Sequence, residues 1–156
     1  MRVIQYKGTG FISKLIQKQT RSPYSHTAVE FSDGKIIEAW HTGGKRPWHG
    51  CVRWITNPWD GHAEDTVIDS YRIDGYVDEA AARAFAEHQI GHTYDFVSVL
   101  RFLSRRNAPA NDKWFCSELG LSIIESGGLD LLHGNPAHMS PRDVVLSPLL
   151  YYEKTL

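Results

Sequence analysis

The chain has 156 residues, of which 42% are hydrophobic and 22% are charged, and it carries a formal charge of -1. These proportions predict one globular domain over 1–156 and exclude a disordered chain or a protein that coats nucleic acid. Two cysteines, Cys51 and Cys116, are too few for the disulfide framework of a small secreted protein.

The first half of the chain predicts strands. A strand over 3–6 precedes a short helix, in which Phe11, Leu15 and Ile16 recur at helical spacing. The later apolar runs predict further strands over 25–31, 35–40, 51–55 and 66–73, with loops over 41–50 and 57–64. Asp33-Gly34 is a strong signal for a hairpin turn between two of these strands.

The second half predicts helices. Strong helix formers favour a helix over 77–90, a second over 95–103, and a third from about 113 to 126 that ends at Gly127-Gly128. Ser140-Pro141 indicates one more helix start. Four or five strands followed by helices predict an α+β fold with one antiparallel sheet packed against helices.

The N-terminal segment has neither an apolar run of signal-peptide length nor a small-residue cleavage site. No stretch approaches the roughly 18 apolar residues that cross a bilayer. We therefore expect no transmembrane segment and a cytoplasmic location, which also fits a phage-encoded enzyme. The sequence leaves the oligomeric state open.

Cys116 is the first candidate for chemistry, because the segment NDKWFCSELG places it near the start of a predicted helix. The free N–H groups and the dipole at a helix N-terminus favour a thiolate over a thiol. A small buried hydrophobic residue is the alternative, since most free cysteines are of that kind.

His26 is the candidate base, and Glu38 on the next strand is the candidate group that orients it. A two-residue turn would place Ser32 opposite Lys35. Glu38 would then lie opposite Val29, and His26 would project from the other side of the sheet. A bulge or a longer turn would shift the register by one residue and bring the two side chains to one face. A structural histidine and a solvated glutamate are the alternatives.

Three segments in a fixed order carry a resemblance to a known family. They are SPYSHTAVEF with DGKIIEAW, then GHTYDF, then WFCSELG, and a closing Ser140-Pro141-Arg142-Asp143 fits as well. Together they resemble the circularly permuted branch of the NlpC/P60 papain-like superfamily, often called YiiX-like. The resemblance spans most of the chain and implies a papain-like α+β fold with the nucleophile at a helix N-terminus.

The resemblance also implies the roles of the site residues. Cys116 would be the nucleophile, His26 the base and Glu38 the orienting residue of a thiol hydrolase of the peptidase or amidase type. Tyr94 resembles a tyrosine that approaches the nucleophile and could donate to an oxyanion. Peptides, peptidoglycan fragments and lipid acyl groups are the substrate classes implied. An acyltransferase and a non-catalytic binding module that keeps the fold are the alternatives.

The histidines other than His26 could suggest a zinc site. His41, His49, Cys51 and His62 lack the paired spacing of zinc sites, so we expect neither a metal nor another cofactor. The tryptophans nearby are better explained as the wall of a cleft. These are Trp40, Trp48, Trp54 and Trp59, of which Trp54 also fits the core.

Overall fold

The computed structural model describes residues 1–41, 50–94 and 113–156. Most of the loop predicted over 41–50 and the whole helix predicted over 95–103 lie outside these ranges. The sequence stretches that flank them are strands, and they belong to one sheet.

Eight strands form this sheet in the described ranges, and all five of the predicted strands are among them. Their bounds are Arg2–Lys7 (β1), His26–Glu30 (β2), Ile36–His41 (β3), Gly50–Ile55 (β4), Val67–Ile73 (β5), Thr93–Tyr94 (β6), Lys113–Trp114 (β7) and Leu150–Thr155 (β8). The spatial order is β7-β6-β4-β3-β2-β1-β5-β8. The six strands from β4 through β8 in that order pair antiparallel, and β7 runs parallel to β6.

The prediction of strands first and helices afterwards was wrong at the C-terminus, where β8 pairs with β5. The run Leu150–Thr155 has exposed side chains on both faces for most of its length, so it lacks the alternation that marks a strand. Backbone pairing to β5, rather than burial, holds it in the sheet.

The turn between β2 and β3 sets the register that the sequence left open. Phe31 and Lys35 pair across a three-residue loop, in which the Phe31 carbonyl accepts from the Gly34 N–H. Gly34 has a φ of 81°, the left-handed conformation that glycine adopts without strain. The longer loop places Val29 opposite Ile37 instead of Glu38. This one-residue shift puts His26 and Glu38 on the same face of the sheet.

The helices are short and lie between and after the strands. Their bounds are Phe11–Thr20 (α1), Glu79–His88 (α2), Cys116–Ser126 (α3) and Pro141–Val144 (α4), with a 3-10 turn at Pro136–His138. In the parts of the chain that are described, no helix is long and apolar enough to cross a membrane.

Helix α3 begins later than the sequence predicts, because Lys113–Trp114 pairs with β6 and Phe115 is the extended residue before the helix. Cys116 is therefore the first residue of α3. The Glu118 carboxylate accepts from the Phe115 N–H at 3.3 Å, which satisfies one of the free donors at this end.

The sheet is covered on one face by α3, which packs against β2 and β3. Apolar side chains on this face, among them Val3, Val29 and Ile37, form the larger core together with Leu119 and Ile123 of the helix. The opposite face carries a smaller apolar cluster, which consists of Ile4, Tyr6, Ala28, Ile36, Ile55 and Ile68. The polar residues of the candidate site lie at the end of this second face.

Candidate functional site

Glu38 lies in the middle of β3 with its side chain fully buried. A buried carboxylate needs charged or hydrogen-bonding partners, and Glu38 has three. Arg53, directly opposite on β4, donates from Nε at 2.9 Å and from Nη2 at 2.7 Å to Oε1. His26 Nε2 lies 2.8 Å from Oε2, and His62 Nε2 lies 3.3 Å from the same atom. The carboxylate is thus fixed from both sides.

His26 is the first residue of β2 and pairs with Tyr6 of β1. Its ring is mostly buried, with 12% of the side chain exposed, and it meets the Tyr6 ring edge-on at 5.0 Å. Because Nε2 is engaged by Glu38, the imidazole cannot rotate freely. Nδ1 is the ring nitrogen that remains for a partner on the other side.

The neighbouring group is Cys116. It stands at the first position of α3, is 1% exposed, and is close enough to His26 to raise the pKa of the imidazole. The structure therefore brings Cys116, His26 and Glu38 together, with the imidazole 2.8 Å from the Glu38 carboxylate and next to Cys116. The sequence predicted these three residues as one group.

The electrostatics of the group follow from this arrangement. Burial lowers the pKa of His26, but the interactions with Cys116 and Glu38 outweigh it and raise that pKa to about 10. Burial likewise opposes the charge on Glu38, and the hydrogen bonds from His26 and His62 hold the pKa of this carboxyl far below its usual range. An imidazolium beside an ionised carboxylate is the protonation state that results.

His62 is a part of the site that the sequence did not assign to it. Its ring stacks on Tyr6 at 4.2 Å and meets the edge of Trp40 at 4.6 Å. Burial and the nearby charges of His26 and Arg53 lower the pKa of His62, so the ring is held neutral. A neutral imidazole can donate one hydrogen bond from Nε2 to Glu38.

Gly61 explains how His62 reaches the carboxylate. Its φ is 79°, and a Cβ at this position would lie 2.9 Å from a ring carbon of Trp40. Only glycine lets the loop after β4 approach that ring so closely. Arg53 reinforces the approach, since its Nη2 also donates to the Asp60 carbonyl at 2.7 Å and its guanidinium lies 4.6 Å from the Trp40 ring centre.

Tyr94, the predicted oxyanion donor, lies in β6, where its backbone pairs with Trp114 of β7. Trp114 is two residues before Cys116, so the backbone of Tyr94 lies on the strand next to the one that leads into α3. Its side chain is outside the described part of the structure. The role assigned to it stays a prediction.

The remaining predicted wall and zinc residues do not form one group. Trp40 lies beside His26 at a ring distance of 6.2 Å, whereas Trp54 packs against the core, as expected, and Trp59 is exposed. Cys51 is free and exposed. The side chains of His41, Trp48 and His49 lie outside the described ranges.

A different trio could hold a metal. The ligand atoms of His26, Glu38 and His62 all lie within 4.8 Å of one another, the one such group found among the described residues. Two imidazoles and a carboxylate are a common ligand set for transition metals. Arg53 disfavours a bound cation, because its guanidinium already neutralises Glu38.

A cavity of about 450 Å³ adjoins the site. Its wall includes His26, His62 and Trp40 on the sheet side and Phe11 and Ile12 of α1 on the other. Most of the lining is apolar or small. The cavity gives the imidazole of His26 a space in which a bound group could lie.

The comparisons with known proteins concern the fold. No protein-family model and no curated protein matches the sequence. The structure matches the crystal structure of the metalloprotein YiiX from Escherichia coli O157:H7 with a TM-score of 0.72, over 99% of this chain and 96% of that chain. The fold is YiiX-like. Sequence identity between the two chains is 20%, so the likeness is one of fold.

Proposed function

We propose that this protein is a thiol hydrolase of the papain-like, permuted NlpC/P60 type, which cleaves an amide or ester through an acyl-enzyme on Cys116. The observation that carries the proposal is that His26 contacts the fully buried Glu38 at 2.8 Å and has Cys116, the first residue of α3, as its other neighbour. Nucleophile, base and orienting carboxylate in this order are the constellation that activates a weak nucleophile.

The chemistry divides into two steps. In the first, Cys116 Sγ attacks the carbonyl carbon, and His26 gives its proton to the leaving amine or alcohol as that bond breaks. In the second, His26 takes a proton from water as the water oxygen attacks the thioester carbon, and the C–S bond then breaks to release the acid and the Cys116 thiolate. A different acceptor in place of water would make the protein an acyltransferase.

Other groups support these steps without reacting. Arg53 and His62 hold the Glu38 carboxylate, which in turn fixes the tautomer and the plane of His26. The backbone N–H of Cys116, at the start of α3, is proposed as one donor to the oxyanion, and the Tyr94 hydroxyl is proposed as a second.

Alkylation with iodoacetamide at pH 6 tests the proposal, because burial and activation predict opposite results. Cys51 is exposed and Cys116 is 1% exposed, so accessibility alone predicts faster labelling of Cys51. We expect Cys116 to react faster, since only a thiol paired with an imidazolium is a good nucleophile at this pH. His26→Ala should abolish the difference.

The same variants should give matched results on substrates. We expect Cys116→Ala to eliminate hydrolysis of a panel of aryl esters and peptide amides, and Cys51→Ala to leave it intact. Faster labelling of Cys51 in the native protein, or activity that survives Cys116→Ala, would contradict the proposal.

A metal-binding protein is the second candidate, favoured by the cluster of His26, Glu38 and His62. The fold neighbour is itself described as a metalloprotein. In that case the two imidazoles and the carboxylate would hold the ion, and the ion would supply a Lewis acid. Elemental analysis of the purified protein distinguishes the two: one equivalent of a transition metal, lost in His62→Ala, supports the metal centre.

A further inference from the structure

Helix α1 presents a surface that no part of the described fold uses. Phe11, Lys14 and Lys18 are three and four residues apart and therefore share one side of the helix. All three are exposed, and Phe11 is 81% exposed although it is a large aromatic residue. Ile16, on the opposite side, is buried in the core. The helix thus has an aromatic and basic outer face.

The sequence around α1 is basic and contains no acidic residue. The first 29 residues contain five Lys or Arg and neither Asp nor Glu, whereas the remaining 127 residues contain 12 basic and 18 acidic residues. Lys14, Lys18 and Arg21 form no ion pair among the described residues. A positive face on a chain with a formal charge of -1 attracts an anionic partner at short range.

The cavity beside His26 lies next to this face. Phe11 belongs to its wall, together with Gly8, Gly10 and Ile12 around the start of α1. Among the described residues that line the cavity there is no Asp, Glu, Lys or Arg. A space lined mainly by apolar and small residues, with His26 at one end, therefore begins where the aromatic and basic face begins.

We propose that α1 docks on an anionic lipid surface, with Phe11 inserted among the acyl chains and Lys14 and Lys18 against the headgroups. A nucleic acid would bind the lysines through its phosphates, but it would not explain an exposed phenyl ring beside a mainly apolar cavity. A lipid surface accounts for both the phenyl ring and the lysines, since the acyl region takes up apolar side chains and anionic headgroups attract lysine. The docking itself does not depend on the proposed hydrolase activity.

If the hydrolase activity also holds, the docked orientation selects the substrate. The cavity wall formed by Phe11 and Ile12 would face the bilayer, so the group that enters beside His26 would be a lipid acyl chain. This choice of substrate rests on the proposed function, and failure of the hydrolase activity would leave the docking intact.

Co-sedimentation with vesicles tests the docking. The Cys116→Ala protein is mixed at low salt with vesicles of phosphatidylcholine alone or with 30% phosphatidylglycerol (about a third of the lipid anionic, as on a charged leaflet). We expect binding to the anionic vesicles only. Lys14→Gln with Lys18→Gln should weaken it about 25-fold, at about fivefold for each lysine near the surface. Phe11→Ser should weaken it about tenfold through lost apolar burial.

Matched changes elsewhere serve as controls. Lys35→Gln with Lys154→Gln removes the same charge from two exposed sites, one just before β3 and one in β8, and Tyr76→Ser removes an aromatic ring that is 83% exposed. These variants should bind like the parent. Absence of binding to the anionic vesicles, or equal losses in the control variants, overturns the proposal. So does tighter binding to a DNA oligonucleotide that is unaffected by Phe11→Ser. Circular dichroism establishes that each variant is folded.

Discussion

Glu38 shows how a single buried charge organises the candidate site. The side chain has no contact with solvent, yet both of its oxygens are occupied by donors from β2, β4 and the loop after β4. Removing one partner of such a group costs more than the pair contributes, because the other partners are left buried and unpaired. Three elements are therefore tied to one carboxylate.

Glu38→Gln should reveal this dependence. The interactions with Cys116 contribute most to the raised pKa of His26, and Glu38 adds to them, so loss of the carboxylate charge should lower this pKa below about 10. The free energy of unfolding should drop by about 2–3 kcal/mol, the upper part of the range for hydrogen bonds to charged groups. NMR titration of His26 and urea denaturation measure the two effects.

Glu30→Gln is the matched control, since Glu30 lies at the other end of β2 and pairs with Arg2 across the strands at 3.5 Å. It should leave the titration of His26 in place. An unchanged His26 titration in Glu38→Gln would show that the carboxylate does not set the protonation state of the imidazole.

At the scale of elements, the hairpin between β2 and β3 shows what the sequence could predict. The alternation of apolar residues predicted both strands, and Asp33-Gly34 predicted the turn. The register depended on whether the loop has two residues or three, and both lengths suit the same residues. The structure has the three-residue loop, with Gly34 in the left-handed conformation.

The same limit explains which site residues the sequence found and which it missed. Cys116, His26 and Glu38 lie in segments with a recognisable order. Arg53 and His62 reach the site through the pairing of β4 with β3 and through a left-handed Gly61, neither of which leaves a local pattern. His62 belongs to no paired ligand motif, so the sequence gave no reason to connect it with Glu38.

Substitutions at Gly34 should test the turn. A Cβ at this position meets nothing within 4 Å, so any cost comes from the φ of 81° alone. Gly34→Val should lower the free energy of unfolding by about 1–2 kcal/mol, because left-handed backbone is strained for a branched residue. Gly34→Asn should cost clearly less in urea denaturation, since asparagine tolerates this conformation. Equal losses in both variants would argue against the left-handed turn.

At the scale of the molecule, Asp69 joins elements from both ends of the chain. The carboxylate of this buried residue of β5 accepts from Lys7 Nζ, the Tyr24 hydroxyl and Thr155 Oγ1, each at 2.7 Å. Its partners come from β1, from the segment before β2 and from β8. Burial opposes the charge, but the hydrogen bonds of Lys7, Thr155 and Tyr24 outweigh it and lower the pKa of Asp69 below 3.8.

Acid stability should reflect this carboxylate. A group whose pKa is lower in the folded state stabilises the protein above its ordinary pKa, and this contribution disappears as the pH falls through the folded value. Asp69→Asn should therefore lose about 1–3 kcal/mol at pH 7 and much less near pH 3. The exposed Asp74→Asn, one residue after the same strand, should change the free energy of unfolding by less than about 0.5 kcal/mol. Urea denaturation at both pH values measures it; a loss independent of pH would contradict the assignment.

The order of strands has a consequence for kinetics. β2, β3 and β4 are joined as successive antiparallel neighbours, whereas β1 needs β5 and β5 needs β8, whose partners are far along the chain. Closing such long loops is slow, so refolding should nucleate in the β2-β3-β4 meander, and the pairing of β5 with β8 should form last. Conservative truncations in β8 would then accelerate unfolding while scarcely changing the refolding rate.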